Sequence, residues 1–193
     1  NKKNINFKTK SIIMFRLINI LFCYAFFNEN ALLLNTITKY QKYLKPVSGR
    51  GLKHKIIINK KIIKVIDESY NANPDTMLQS IDYFKNIKKS YRKKILILGN
   101  MNELGHNTNK LHLDLLNQIE MFNWKFIILC GEFLQTSIKK LKKPKNEFFY
   151  IPSKNKIMKF LTQNIDNKDM ILIKCSNSTE VNKFANNLLK KVI

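Results

Sequence analysis

An α/β protein is predicted, with a mostly parallel sheet, helices on both of its faces and a helical segment in front. Three features of the sequence predict it. Short, continuous apolar runs alternate with amphipathic segments over residues 94–193. A hairpin pattern, with lysines alternating with β-branched residues, precedes them. A longer apolar segment without strand alternation precedes the hairpin. Apolar runs of this length that are not half polar suit strands buried on both sides, which is the signature of a parallel sheet between helical layers. In such a Rossmann-like arrangement ligands sit outside the carboxyl ends of the strands.

The elements follow in order. Residues from Ile12 to Leu44 read as helical, as two helices broken near Asn28-Glu29-Asn30 and stopped at Lys45-Pro46. The run from Ile12 to Phe27 carries Arg16 and Asn19, is short of a bilayer span and has no small-residue cleavage site after it, so a buried helix is expected. VSGRG (Val47 to Gly51) reads as a loop that opens a new domain. KIIIN and KKIIKVI then form a hairpin about Asn59-Lys60. A helix starts at Pro74, whose missing N–H suits the first helical position, with Asn73 as its cap and Met77, Leu78, Ile81 and Phe84 as its apolar face. KILILGN precedes Leu111, Leu115 and Ile119 at helical spacing, and KFIILCG precedes a segment through Leu141. FFYIP precedes Ile157 to Leu161, and DMILIKC precedes Val181 to Leu189. The domains expected are therefore 1–46 and 47–193. The first residue is Asn1 rather than Met, which suggests the tail of a longer sequence.

Composition narrows the function classes. A net charge of +22 invites a nucleic-acid reading. Against it, Arg16, Arg50 and Arg92 are the only arginines among 35 basic residues, and the lysines are spread through every segment together with Asn and Ile. That spread suits A/T-rich coding better than a binding surface, and no specific nucleic acid is expected. Cys23, Cys130 and Cys175 lie far apart without metal-ligand spacing, and His54, His106 and His112 are isolated, so free thiols and no metal site are expected.

One stretch resists a packing explanation. DESYNANPDT (Asp67 to Thr76) leaves a strand and opens a helix. Asn73 and Pro74 have structural roles, but Asp67, Glu68, Tyr70 and Asn71 have none evident. Two carboxylates, a phenol and an amide at a strand exit can hold a ribose hydroxyl, a metal-bound water or an amine. Substitution of Asp67, Glu68 or Asn71 is expected to spare the fold.

VIDESYNANPDTM resembles the signature of the Mur ligase family, in the branch that adds D-alanyl-D-alanine to UDP-N-acetylmuramoyl-tripeptide. Gly49-Arg50-Gly51 resembles that family's hinge before the C-terminal domain. LILGNMNELG, followed by His112, is similar to its LGDMLELG element, and LIKCSNS (Leu172 to Ser178) to its LVKGSRS or LVKGSNS element. The helix with Asn19 resembles an H-x-x-x-N element, with Phe15 at the His position.

The resemblance implies an ATP-dependent ligase of peptidoglycan precursor synthesis, cytoplasmic and a monomer at full length, working through an acyl phosphate. It implies ATP and Mg2+, held mainly by a central domain of which residues 1–46 would be the tail. By resemblance Arg50 and the pair Asp67 and Glu68 are catalytic and, with Asn19, serve the nucleotide; either Asp67 or Glu68 would be the family's nucleotide-contacting acid. Tyr70, Asn71, Asn73, Asn100, Glu103, Lys174 and Ser176 would serve the dipeptide. Departures stand at Asn100 in place of Asp, Cys175 in place of a Gly that turned tightly, and Asn177 in place of Arg. A G-x-x-x-x-G-K-[ST] phosphate loop is absent from the sequence, so the chain alone is expected neither to hydrolyse ATP nor to transfer phosphate. The rivals are another Mur-type or folylpolyglutamate-type ligase, and a non-catalytic basic α/β binding module.

Overall fold

The computed structural model describes residues 14–30, 47–87 and 93–190. The chain divides into two units, Asn1–Pro46 and Val47–Ile193. In the first, α1 (Met14–Glu29) ends where the sequence placed a break; the helix expected after it lies outside the described residues. Burial of this segment was expected, but Ile18, Leu21, Phe22 and Phe26 of α1 are exposed. Among the described residues no helix is long and apolar enough to cross a membrane.

In the second unit, β1 (Leu52–Ile58) and β2 (Lys61–Glu68) form the hairpin. Asn59 and Lys60 both adopt positive φ, at 48° and 62°, as a two-residue turn matched to strand twist requires. The chain continues through α2 (Pro74–Asn86), β3 (Lys94–Gly99), α3 (Thr108–Ile119), β4 (Phe126–Cys130), α4 (Glu132–Ile138), β5 (Phe148–Tyr150), α5 (Lys154–Asn164), β6 (Met170–Lys174) and α6 (Glu180–Leu189). The sheet order is β1-β2-β6-β3-β4-β5. All neighbours pair in parallel except β1 with β2.

Strand alternation sends each buried run to two cores. Ile95, Ile97, Ile128, Ile171 and Ile173 pack with Ile157 and Leu161 of α5 and with Val181, Phe184 and Leu188 of α6. Leu96, Leu98, Leu129 and Leu172 face Met77, Ile81 and Phe84 of α2, Leu115, Leu116 and Ile119 of α3, and Leu134 of α4. Each such side chain contributes about 1.5–3 kcal/mol by leaving water, which is why the runs lack polar alternation. At the start of α2, Asn73 accepts the Thr76 N–H at 2.9 Å while the Thr76 hydroxyl oxygen accepts the Asn73 N–H at 3.2 Å. This reciprocal cap, worth about 1 kcal/mol, fixes where the strand exit ends and the helix begins.

Candidate active site

The sheet order makes β2, β6 and β3 neighbours, so the chain leaves all three at adjacent points on one edge. Three side chains fasten these exits. Lys174, at the end of β6 and 1% exposed, reaches across to β2, where its ammonium lies 3.8 Å from the Glu68 carboxylate and donates to the Asn71 carbonyl at 2.9 Å. The Ser176 hydroxyl donates to the Ala72 carbonyl at 3.4 Å and accepts the Asn102 N–H at 2.9 Å, tying the exits of β2 and β3 to that of β6. Asn182, in the first turn of α6, donates to the Ser69 carbonyl at 2.8 Å. The stretch DESYNANPDT is thus held by its backbone, which leaves the exposed side chains of Tyr70 and Asn71 at the rim.

The carboxylates are placed differently from what their sequence context suggested. Asp67 has no exposed surface; one oxygen accepts the Gly49 N–H at 2.6 Å, and the other accepts the Ser69 N–H at 3.2 Å and its hydroxyl at 2.6 Å. Glu68 is 3% exposed and paired with Lys174. Both therefore brace the fold, and the expectation that their substitution leaves it untouched is corrected: breaking the buried Glu68–Lys174 pair costs about 3–5 kcal/mol, and leaving the donors to Asp67 without an acceptor costs about 1–3 kcal/mol. Asn71 keeps that expectation, because its side chain is exposed and its carbonyl makes the contact. Arg50 is exposed on the loop before β1, its guanidinium 4.4 Å from the centre of the Tyr70 ring.

At the exit of β3, Asn100 follows the strand with its side-chain oxygen buried and without a hydrogen-bond partner. Beside it Gly131, φ +135°, leaves space that a Cβ would take 2.2 Å from that oxygen. Glu103 is exposed at a positive φ of 62°. His112 proves to be a buried helix residue: Nδ1 donates to the Thr108 carbonyl at 2.7 Å and Nε2 accepts the Met101 N–H at 3.0 Å. Burial lowers its pKa, with the Thr108 bond opposing, and keeps the ring neutral, as acceptance at Nε2 requires. Burial pushes the Cys130 thiol up to about 11 and the Cys175 thiol up to about 12, so neither is a nucleophile. Cys175 does not take over a turning position. Ser178 has the positive φ, 64°, and Cys175 packs on Gly99, where a Cβ would lie 2.6 Å from its own.

Asn19 lies exposed on α1, in the other unit. Sequence reasoning missed Asn182 and Gly131. Their signals were a polar residue in the first turn of the last helix and a glycine directly after a buried strand. A groove of about 470 Å³, lined by Glu120, Met121, Lys140, Lys142, Lys143 and Lys145, lies where the chain enters β4 and β5, at the opposite edge of the sheet.

A family model described as Mur ligase, glutamate ligase domain, matches residues 55–177. The chain belongs to the Mur ligase family. It is 28% identical over 145 residues to a UDP-N-acetylmuramoyl-tripeptide–D-alanyl-D-alanine ligase of Rickettsia prowazekii, covering 74% of this chain and 31% of that one. To the ligase of the same name from Buchnera aphidicola it is 29% identical over 149 residues, covering 76% and 30%. The crystal structure of a MurF ligase from Thermotoga maritima in complex with ADP shares the fold, with a TM-score of 0.67, 20% identity and coverage of 90% of this chain and 38% of that one. The chain spans about a third of the length of these relatives. Among the described residues of this Mur ligase domain, no group of three or more His, Cys, Asp or Glu side chains is placed to hold a metal ion. Asp67 and Glu68, the adjacent carboxylates, are committed to protein partners. These residues do not fit a Mg2+ site.

Proposed function

We propose that residues 47–193 are the dipeptide-side domain of an ATP-dependent ligase that joins D-alanyl-D-alanine to UDP-N-acetylmuramoyl-tripeptide, with residues 1–46 as the tail of the ATP-binding domain. The observation that carries this reading is the fastening of three strand exits by Lys174, Ser176 and Asn182, with Arg50, Asn71 and Asn100 at their edge. In such a reaction ATP phosphorylates the terminal carboxylate of the tripeptide, and the dipeptide amine attacks the acyl phosphate and releases phosphate. The guanidinium of Arg50 suits the charge that builds on the phosphoryl group. Asn100, whose side-chain oxygen lacks a partner, accepts an N–H from the amine that its neutral amide still attracts. Asn71 and Glu103 contact the dipeptide from the rim, and Tyr70 lies beside them. Lys174, Ser176 and Asn73 act through the backbone positions that they hold. The complete enzyme is read as a cytoplasmic monomer.

The test joins this chain to the UDP- and ATP-binding portions of the Rickettsia relative and compares amine substrates. D-Alanyl-D-alanine is expected to be ligated and single amino acids rejected, and Arg50→Ala should lower kcat more than it raises the dipeptide KM, as loss of a transition-state contact does. A folded enzyme that prefers a single amino acid, or an unchanged kcat in Arg50→Ala, would overturn the reading.

A further inference from the structure

Arg50 is presented by an unusually constrained loop. Gly49 and Gly51 are buried on either side of it with φ of +73° and +88°, a region L side chains avoid. Four hydrogen bonds hold the backbone of this loop. The Gly49 N–H donates to the Asp67 carboxylate at 2.6 Å, and the Gly51 N–H donates to the Asp67 carbonyl at 2.6 Å. The Tyr70 N–H donates to the Gly49 carbonyl at 3.2 Å, and the Arg50 N–H to the Val47 carbonyl at 3.0 Å. The approach is so close that a Cβ at Gly49 would lie 2.7 Å from the Tyr70 Cβ. The other Asp67 oxygen is satisfied by Ser69, so this buried carboxylate has no lone pair directed at solvent. Tyr70 is 46% exposed, and its ring carries the Arg50 guanidinium on its face at 4.4 Å.

We propose that Asp67 and Tyr70 are positioning residues for Arg50. Asp67 fixes the glycine–arginine–glycine backbone from beneath, and the Tyr70 ring holds the guanidinium at the strand exit. The inference rests on the reading of Arg50 as the phosphate-facing residue, and it moves Asp67 from contact with the nucleotide to contact with the protein. A ring quadrupole attracts a cation more weakly than a phosphate does, so the platform orients Arg50 without withholding it from a phosphoryl group. The phenol hydroxyl has no part in this, whereas the ring and the Asp67 charge are both required.

The chain has three arginines, so the side-chain N–H spectrum of the 193-residue protein resolves Arg50 against two internal references. Arg50 is expected to be shifted upfield by the Tyr70 ring current. The shift should persist in Tyr70→Phe, vanish in Tyr70→Leu, and vanish in Asp67→Asn while the amide signals of β3, β4 and β6 stay in place. In the unsubstituted chain the Gly49 amide should exchange slowly, which tests the Asp67 contact even if Asp67→Asn fails to fold. An Arg50 signal that is the same in Tyr70→Leu, or the same in a folded Asp67→Asn, or a fast-exchanging Gly49 amide, would overturn the proposal. The readout needs no turnover. Its failure leaves the ligase reading standing, and an inactive joined enzyme leaves the positioning result intact.

Discussion

At the scale of single residues, His112 couples the β3 exit to pH. It is buried and neutral, and its unprotonated Nε2 is what accepts the Met101 N–H. Its folded pKa is lowered, so the unfolded chain takes up the proton first as pH falls. The stability that this contact supplies is therefore complete above the unfolded value of about 6.5, and is lost as pH drops below it through the lowered folded value. The melting temperature is expected to fall between pH 7 and pH 5.5, and a His112→Gln variant should lose that part of the slope. Equal slopes in the two proteins would show that the ring does not govern the loop. Asp67 and Glu68 show the limit of reading single residues. Adjacent carboxylates at a strand exit suggested ligand contacts, but burial and partners decide their role: Asp67 is held by Ser69 and Gly49, and Glu68 by Lys174, over a hundred residues away.

Among the elements, β3, β6 and α6 meet with little space to spare. Gly99 ends β3 with no positive φ, so its lack of a side chain serves packing: a Cβ there would lie 2.6 Å from Cys175 Cβ and 3.1 Å from Val181. Gly99→Ala should cost about 1–3 kcal/mol by overpacking. Adding Cys175→Gly should recover most of that loss, since it removes the nearest contact. Denaturant melts of both single variants and the double variant check this, and simple additivity of the two costs would contradict it. Periodicity, turn residues and the Asn73-Pro74 pair made the strands, the hairpin and the start of α2 legible in the sequence, because these follow from local chemistry. The position of β6 between β2 and β3 was not legible, since strand order depends on contacts between segments distant in sequence, such as Lys64 and Met170 or Lys94 and Met170. The fastening of the site by Lys174, Ser176 and Asn182 follows from that order. It was hidden for the same reason.

In the unit of residues 47–193, two cores clamp one sheet, and Asp67 to Asn73, Asn100, Lys174 and Ser176 lie at the exits of its strands. Tyr70 and Asn71 at the rim were found from sequence because nothing in packing required them; their division of labour with Asp67 and Glu68 needed the structure. Asn71 is the residue on which the account depends most directly. Its carbonyl is held by Lys174, which a side-chain substitution leaves in place, and its amide is exposed at the edge where the dipeptide is proposed to lie. The decisive measurement is the rate of D-alanyl-D-alanine ligation per folded molecule by Asn71→Ala in the chain joined to the UDP- and ATP-binding portions of the Rickettsia relative. The account predicts a loss of at least about tenfold, equivalent to about 1.4 kcal/mol of transition-state stabilisation, at an unchanged melting temperature. A normal rate per folded molecule would contradict it.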